Sequence, residues 1–265
     1  MAILIINNYR VEKGLRKIDN IKHALLDLGI SEIKVWSYSE VDQSLPEDVK
    51  AIILSGSESH LNEPEVREIY SSEIEFVKRV NVPILGICFG HQLIGVAFGS
   101  TVYSLSNPIK GFVAVKILQP HAIFSSWKEG DVVILKQHHI DCLSELPERF
   151  VQLAESESCK IEAMAHHTKP IYGIQAHIER YDREHPHGLQ VLKNFVENVV
   201  ENFVFEQIIE TKSLSEIKQN MINSLKDIVY DIVKEDWRTV ESKLKDAKKY
   251  IDAYMVKKIV DALKP

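Results

Sequence analysis

The sequence predicts an α/β protein: a mostly parallel sheet flanked by helices, followed by a C-terminal helical hairpin. Three observations carry this reading. Short continuous apolar runs alternate with stretches of helical periodicity through the first part of the chain, and buried parallel strands read as such runs. Two of the helical stretches stop at a glycine, Gly29 and Gly99, as helices that end in a left-handed residue do. Beyond about Phe205 strand-like runs cease and long amphipathic periodicity takes over, which is the pattern of helices with one apolar face.

Taken in order, Ile3–Ile6 is the first strand, and Leu15, Ile18, Ile21, Leu25 and Leu28 then share one helix face. Ile33–Trp36 and Ala51–Leu54 are the next strands, the latter running into the turn Ser55-Gly56-Ser57. Val66, Ile69, Tyr70, Val77 and Val80 recur at helical spacing. Val82–Ile87 is a fourth strand with Cys88 directly after it, and Phe89 to Phe98 reads as a helix. This order implies a parallel sheet covered on both faces. From Thr101 to about Gln175 the pattern shortens into β-rich segments: Phe112–Leu118, Asp131–Leu135, Phe150–Ala154, Ile161–Ala165 and Ile171–Gln175. Helical periodicity returns from Gly188 through Leu189, Leu192, Phe195, Val196 and Val199.

The tail has its own logic. Ser213 and Glu216 stand at capping-box spacing, which starts a helix. Leu214, Ile217, Met221, Leu225, Ile228 and Ile232 form one stripe, and Trp237, Val240, Leu244, Ala247, Ile251 and Tyr254 a second, with Lys234-Glu235-Asp236 between them. Two domains follow, residues 1–204 and a helical extension over 205–265. The stripes either pack on each other and on the main domain, or form a docking or dimer surface.

Composition narrows the function. The chain has 265 residues and a formal charge of −6, which favours solubility and argues against a general affinity for nucleic acid. Cys88, Cys142 and Cys159 are an odd, sparse set, so reduced thiols and a cytoplasmic location are expected. No Cys-x-x-Cys pair occurs, and His138, His166 and His167 lack ligand spacing; no metal site is expected. Ala2 to Ile6 is too short for a signal-peptide core, and no apolar run has the length of a membrane span.

The chemistry concentrates in two motifs. In Gly86-Ile87-Cys88-Phe89-Gly90-His91-Gln92 a strand ends, one residue occupies a tight turn and a helix begins. The glycines permit close backbone approach. The positive end of the helix favours a thiolate at Cys88, and the Phe89 N–H points at a developing oxyanion. The alternative is a buried structural cysteine. In Gly173-Ile174-Gln175-Ala176-His177-Ile178-Glu179, residues two apart in an extended segment share a side. His177 and Glu179 then read as a base and its orienting carboxylate, or as two unrelated polar residues at a strand end.

Together, in this order, the two motifs resemble the class I (triad) glutamine amidotransferases over about the first 200 residues. The resemblance implies a flavodoxin-like core and a reaction in which Cys88 attacks the glutamine side-chain amide to form a γ-glutamyl thioester, His177 shuttles the proton and Glu179 orients His177. Gln92 matches a position that helps hold glutamine, and Gly56 and Ser57 match the loop whose backbone completes the oxyanion hole with Phe89. The chain departs from the usual pattern at Ser57, where the family has a second glycine, and at Ala176 and Ile178, where it has Phe and Pro. His139-Ile140-Asp141, Leu146-Pro147-Glu148-Arg149-Phe150 and Cys159-Lys160-Ile161-Glu162-Ala163-Met164 are most similar to the amidotransferase of GMP synthetase, in its separate archaeal form. That similarity gives His139 and Asp141 a role in sensing the partner; a plain polar loop is the alternative.

Three functions fit these residues. The first is a glutaminase feeding ammonia to a separate ATP-dependent synthetase. Since neither Gly-x-x-x-x-Gly-Lys nor Gly-x-Gly-x-x-Gly is present, no cofactor is expected on this chain, and ATP and Mg belong to the partner. The second is a stand-alone γ-glutamyl peptidase or hydrolase with the same triad. The third is a non-catalytic scaffold of the same fold. The tail, absent from the separate archaeal amidotransferase, is expected to mediate association with a second copy or with the synthetase.

Overall fold

A computed structural model describes residues 2–233, 243–244 and 246–252. The chain divides into two units, Met1–Val200 and Glu201–Pro265. The first unit begins with β1 (Ala2–Asn7), α1 (Glu12–Asp27), β2 (Ile33–Ser37) and β3 (Val49–Leu54). It continues through α2 (Pro64–Ile69), α3 (Ser71–Arg79), β4 (Ile84–Ile87) and α4 (Phe89–Ala97). The later strands are β5 (Val102–Ile117), β6 (Val132–Leu143), β7 (Phe150–Glu155), β8 (Ala163–His166) and β9 (Ile171–Ile174), followed by α5 (His187–Asn194) and a π-helical stretch, Phe195–Val200.

These strands make one mixed sheet in the order β2-β1-β3-β4-β9-β8-β7-β5-β6. The β2-β1-β3-β4-β9 half is parallel, and the β9-β8-β7-β5-β6 half is antiparallel. β1, β4 and β9 are buried at every position, which is why they read as unbroken apolar runs. Alternation sends their side chains to two cores. Ile3, Ile5, Ile53, Leu85 and Ile87 pack with Ile18, Ile21 and Leu25 of α1 and with Val191 and Leu192 of α5. Leu4, Ile6, Ile52, Leu54 and Ile84 pack with Phe76 and Val77 of α3 and with Leu93 and Ile94 of α4. Each such fully buried side chain contributes about 1.5–3 kcal/mol, and the sheet centre, where β4 meets β9, lies between these two cores.

Two expectations need correction in detail. The helical stretch from Val66 to Val80 is two helices, α2 and α3, which meet at Tyr70. Tyr70 is fully buried and its hydroxyl donates to the Asn8 carbonyl at 2.6 Å. The strand read as Phe112–Leu118 is only the end of β5, which runs from Val102 to Ile117. Its first half is largely exposed and polar and carries a register shift between Ser104 and Ile109, so no apolar run announces it.

The second unit contains α6 (Glu201–Thr211), α7 (Leu214–Val233) and a helical segment at residues 246–252. The capping box forms: Glu216 N–H donates to Ser213 Oγ at 3.3 Å and Ser213 N–H to Glu216 Oε2 at 2.8 Å. Ile208 and Ile217 pack with Val204, Phe205, Ile209 and Tyr250, and Ile228 packs with Ala247, which folds the last segment back against α7. In the second stripe, Trp237, Val240 and Tyr254 lie outside the described residues, as does the Lys234-Glu235-Asp236 link. Among the described residues no helix is long and apolar enough to cross a membrane.

Candidate active site

The site grows from the β4–β9 pair. Ile87 is in register with Ile174, and the Cys88 N–H that follows donates to the Ile174 carbonyl at 2.9 Å. Cys88 caps α4 with φ 52° and ψ −102°, a left-handed backbone that a non-glycine residue adopts only where packing enforces it. The packing is visible at both flanking glycines. A Cβ at Gly86 would stand 2.5 Å from the Gly90 carbonyl, and one at Gly90 would stand 2.5 Å from the Leu54 carbonyl. Strand, turn and helix are thus pressed together with no room for side chains, and the Cys88 thiol is directed to the C-terminal edge of the sheet. As the first residue of α4, Phe89 has an N–H that no carbonyl inside the helix can accept.

His177 and Glu179 come together by a different route from the one expected. β9 ends at Ile174, and the residues after it turn rather than extend: Ile178 N–H donates to the Ala176 carbonyl at 3.2 Å and Arg180 N–H to the His177 carbonyl at 3.1 Å. The turn hangs on β6, where the His177 N–H donates to the Lys136 carbonyl at 2.8 Å. Within it, His177 Nδ1 lies 2.7 Å from Glu179 Oε1, and both side chains are less than a tenth exposed. Burial alone would push the imidazole down. The Glu179 carboxylate, the Cys88 sulfur charge and a hydrogen bond to Cys88 outweigh it and raise His177 to about 10. With Nδ1 committed to Glu179, Nε2 is the nitrogen left for Cys88.

Gly56 and Ser57 stand across from this pair. A Cβ on Gly56 would meet the Tyr9 hydroxyl at 2.8 Å and His177 Cε1 at 2.9 Å, so only glycine fits there without displacing the imidazole. Ser57 is not an idle replacement for glycine: its Oγ donates to the Asn8 carbonyl at 2.7 Å and lies 3.3 Å from the Tyr70 hydroxyl. The loop is joined to α4 by Gly90 N–H, which donates to the Ser55 carbonyl at 3.1 Å.

Gln92, His139 and Asp141 also line the cavity of about 290 Å³ that opens beside Cys88 and His177. The Gln92 amide is largely engaged by protein: Nε2 donates to the Asp141 carbonyl at 2.8 Å and to Gln175 Oε1 at 3.1 Å. Gln175 Nε2 in turn reaches Cys88 Sγ at 3.7 Å. Gln92 therefore ties β6 to the segment that leads into the His177–Glu179 turn. His139 Nδ1 sits 3.0 Å from the Asp141 carbonyl, and the Asp141 carboxylate receives Ser104 Oγ–H and faces His60 Nδ1, both at 2.6 Å. Lys17, Lys110 and Arg180 line the same cavity. Cys142 and Cys159 are buried elsewhere, in the β6 and β8 region, with no strand-to-helix turn beside them.

Sequence reasoning missed Tyr9, Gln175 and His60. Tyr9 is almost fully buried, and burial, then the charges of Glu179 and Cys88, hold its phenol strongly protonated. Nothing in the sequence around Tyr9 or His60 marks either residue. Gln175 stood inside the second motif and could have been read from it.

The stretch that forms this site has known relatives. Residues 11–199 match the family model described as glutamine amidotransferase class-I. The glutamine-hydrolyzing GMP synthase subunit of Archaeoglobus fulgidus is 34% identical over 197 residues, 74% of this chain and 98% of that protein. Its namesake in Pyrococcus abyssi is 41% identical over 154 residues, 56% of this chain and 78% of that protein. Among solved structures, a protein from Thermoplasma acidophilum described as a GMP synthase subunit superposes with a TM-score of 0.67 at 24% identity, over 80% of this chain and 98% of that one. A glutamine amidotransferase from Thermotoga maritima superposes at 0.56 and 19% identity, over 97% of this chain and 98% of that one.

Proposed function

The chain belongs to the class I glutamine amidotransferases, and from that footing we propose that it hydrolyses glutamine through Cys88, His177 and Glu179 and delivers the ammonia to a separate ATP-dependent synthetase of the GMP synthase type. One observation carries the catalytic part. Cys88 on its strained turn and the His177–Glu179 pair follow two adjacent, in-register strands, and Cys88 and His177 border one cavity with Glu179 behind the imidazole.

The chemistry follows from that arrangement. With His177 already held as the imidazolium at neutral pH, Cys88 Sγ attacks the side-chain carbonyl carbon of glutamine. Negative charge gathers on the carbonyl oxygen, where the N–H groups of Phe89 and of the Gly56-Ser57 loop stabilise it. The C–N bond breaks as His177 gives its Nε2 proton to the departing nitrogen, yielding ammonia and a γ-glutamyl thioester. Water then attacks the thioester with His177 accepting a proton, and glutamate leaves. Glu179 holds the imidazole with Nδ1 protonated and stabilises its cationic form.

The acceptor is read from the relatives' names and from the absence of a nucleotide motif in this sequence. The tail, with Leu225, Leu244 and Ile251 more than a third exposed, is proposed as an association surface. Purifying the full chain from its native cell with whatever it binds, then measuring glutamate release alone and with the captured protein plus ATP and xanthosine monophosphate, tests the whole reading. Glutamate release that rises with the synthetase supports it. Release only from γ-glutamyl peptides, with no synthetase captured, replaces it with the hydrolase reading.

A further inference from the structure

We propose that Tyr9 is a further catalytic residue: its hydroxyl donates a hydrogen bond to the side-chain carbonyl oxygen of glutamine, beside the N–H groups of Phe89 and the Gly56-Ser57 loop, as negative charge gathers there. The inference rests on the glutaminase reading above and adds a donor to it.

Sheet order brings Tyr9 to the reaction. β1, β3, β4 and β9 are successive neighbours and run parallel, so their C-terminal ends share one edge. Tyr9 follows β1, Gly56 follows β3, Cys88 follows β4 and His177 follows β9. The Ser55 N–H donates to the Ile6 carbonyl at 3.0 Å, which keeps the first two segments aligned past the strand ends. Tyr9, Cys88, Phe89 and His177 then line the same cavity.

Gly56 fixes where the hydroxyl lies. A Cβ built there would stand 2.8 Å from Tyr9 Oη and 2.9 Å from His177 Cε1, so phenol and imidazole flank one point on the oxyanion loop. The ring is held from its other end as well. A Cβ on Gly14 would stand 2.2 Å from Tyr9 Cβ and 2.4 Å from Cγ, so the backbone of α1 lies directly against it. Lys17 Nζ sits 4.6 Å from the ring centroid, and the Tyr9 N–H donates to Asn7 Oδ1 at 3.0 Å. Clamped between α1 and Gly56, the phenol has little freedom to swing out of the site.

A buried tyrosine ordinarily gives its hydroxyl a protein partner, as Tyr70 does when it donates to the Asn8 carbonyl. Tyr9 is only 6% exposed. Among the described residues its hydrogen bond runs through the main-chain N–H, and no protein group engages Oη. The hydroxyl is thus left for the molecule that enters the cavity. Burial, then the charges of Glu179 and Cys88, keep the phenol protonated, so it presents a donor. It holds that proton throughout: the bond tightens as the oxyanion forms and relaxes when the thioester carbonyl is restored. A donor set in place by packing needs no reorganisation at the moment of reaction.

The test compares the full-length wild type with Tyr9→Phe and with the same chain carrying 3-fluorotyrosine at position 9, which keeps the O–H. Glutamate release over a range of glutamine concentrations gives kcat and KM, and thermal melting reports on the fold. Phe fills the same space and lacks only an oxygen without a protein partner, so melting should move by no more than about 2 °C. For Tyr9→Phe, kcat should fall at least about tenfold with KM within about threefold, because the bond strengthens only as charge develops. The fluorotyrosine protein should keep kcat within about threefold of wild type. A smaller fall for Tyr9→Phe, a loss confined to KM, or a fluorotyrosine protein as impaired as Tyr9→Phe would overturn the inference. So would a Tyr9→Phe protein that melts many degrees lower, since the hydroxyl would then serve the fold. A wild type that releases no glutamate sinks the glutaminase reading and this inference with it, whereas an active wild type matched by Tyr9→Phe sinks the inference alone.

Discussion

Replacing Glu179 by Gln removes a charge while leaving an oxygen that can accept from His177 Nδ1, so it separates the electrostatic role of Glu179 from its steric one. The size of the effect can be worked from the site. His177 is raised from 6.5 to about 10 despite burial that opposes the shift, and each unit is worth about 1.4 kcal/mol. The net stabilisation of the imidazolium is thus about 5 kcal/mol, and Glu179 is the largest of the influences that raise it, ahead of Cys88. Losing its charge should remove a large share of it, about 2–3 kcal/mol, which corresponds to a fall in kcat of about 30–160-fold. Glutamate release measured at saturating glutamine gives kcat, and KM should change little because Glu179 does not face the substrate carbonyl. Cys88→Ala and His177→Ala should cost more, since nucleophile and base are then absent. Stability gives a second reading. The raised His177 stabilises the fold fully below pH 6.5 and loses that contribution as pH rises through about 10, so Glu179→Gln should melt below the wild type at pH 7, with the gap closing at the alkaline end. A Glu179→Gln enzyme as inactive as Cys88→Ala, or one within twofold of wild type, would refute the division of roles.

A glutamine-like diazo-ketone should alkylate Cys88 alone; mass spectrometry finding label mainly on Cys142 or Cys159 would remove the nucleophile assignment. The two other thiols are nearly inaccessible, although a hydrogen bond between them makes Cys142 the more acidic. Gly56→Ala places a methyl group 2.8–2.9 Å from Tyr9 and His177; we expect kcat to fall at least about tenfold with melting changed by only a few degrees, in the range of other strained contacts, and an unimpaired enzyme would show that the loop yields freely. Ending the chain at residue 204 should leave a folded glutaminase with altered association; aggregation, or a large drop in melting temperature at unchanged oligomeric state, would make the tail part of the core.

Those residues differ in how far the sequence alone reveals them. Cys88 was legible because its neighbours are constrained locally: an unbroken apolar strand before it, and glycines where backbone meets backbone. His177 and Glu179 were legible as a pair, although the geometry that joins them is a turn held by Lys136 and not an extended strand. Tyr9 and His60 were not legible, because what brings them to the site is sheet order: Tyr9 follows β1, and His60 reaches Asp141 across 81 residues of chain. The split of the helix at Tyr70 and the first half of β5 were hidden for opposite reasons. Tyr70 kept helical spacing while its hydroxyl was recruited to Asn8, and β5 offers exposed polar residues to the outside with its pairing supplied by β6.

The hydrogen bond from Cys88 to Ile174 also sets a schedule for the chain as it leaves the ribosome. β4 is made early, but the strand that aligns it on one side, and the turn that carries His177, arrive only after the intervening antiparallel half has been translated; Gln175 lies 87 residues beyond Cys88. At ordinary rates of synthesis that interval lasts on the order of 5–20 s. Throughout it the nascent polypeptide holds Cys88 without His177 or its neighbouring strand. On the reading proposed above, glutamine hydrolysis waits until β9 stands beside β4, and a truncated translation product ending before that strand is expected to be inactive.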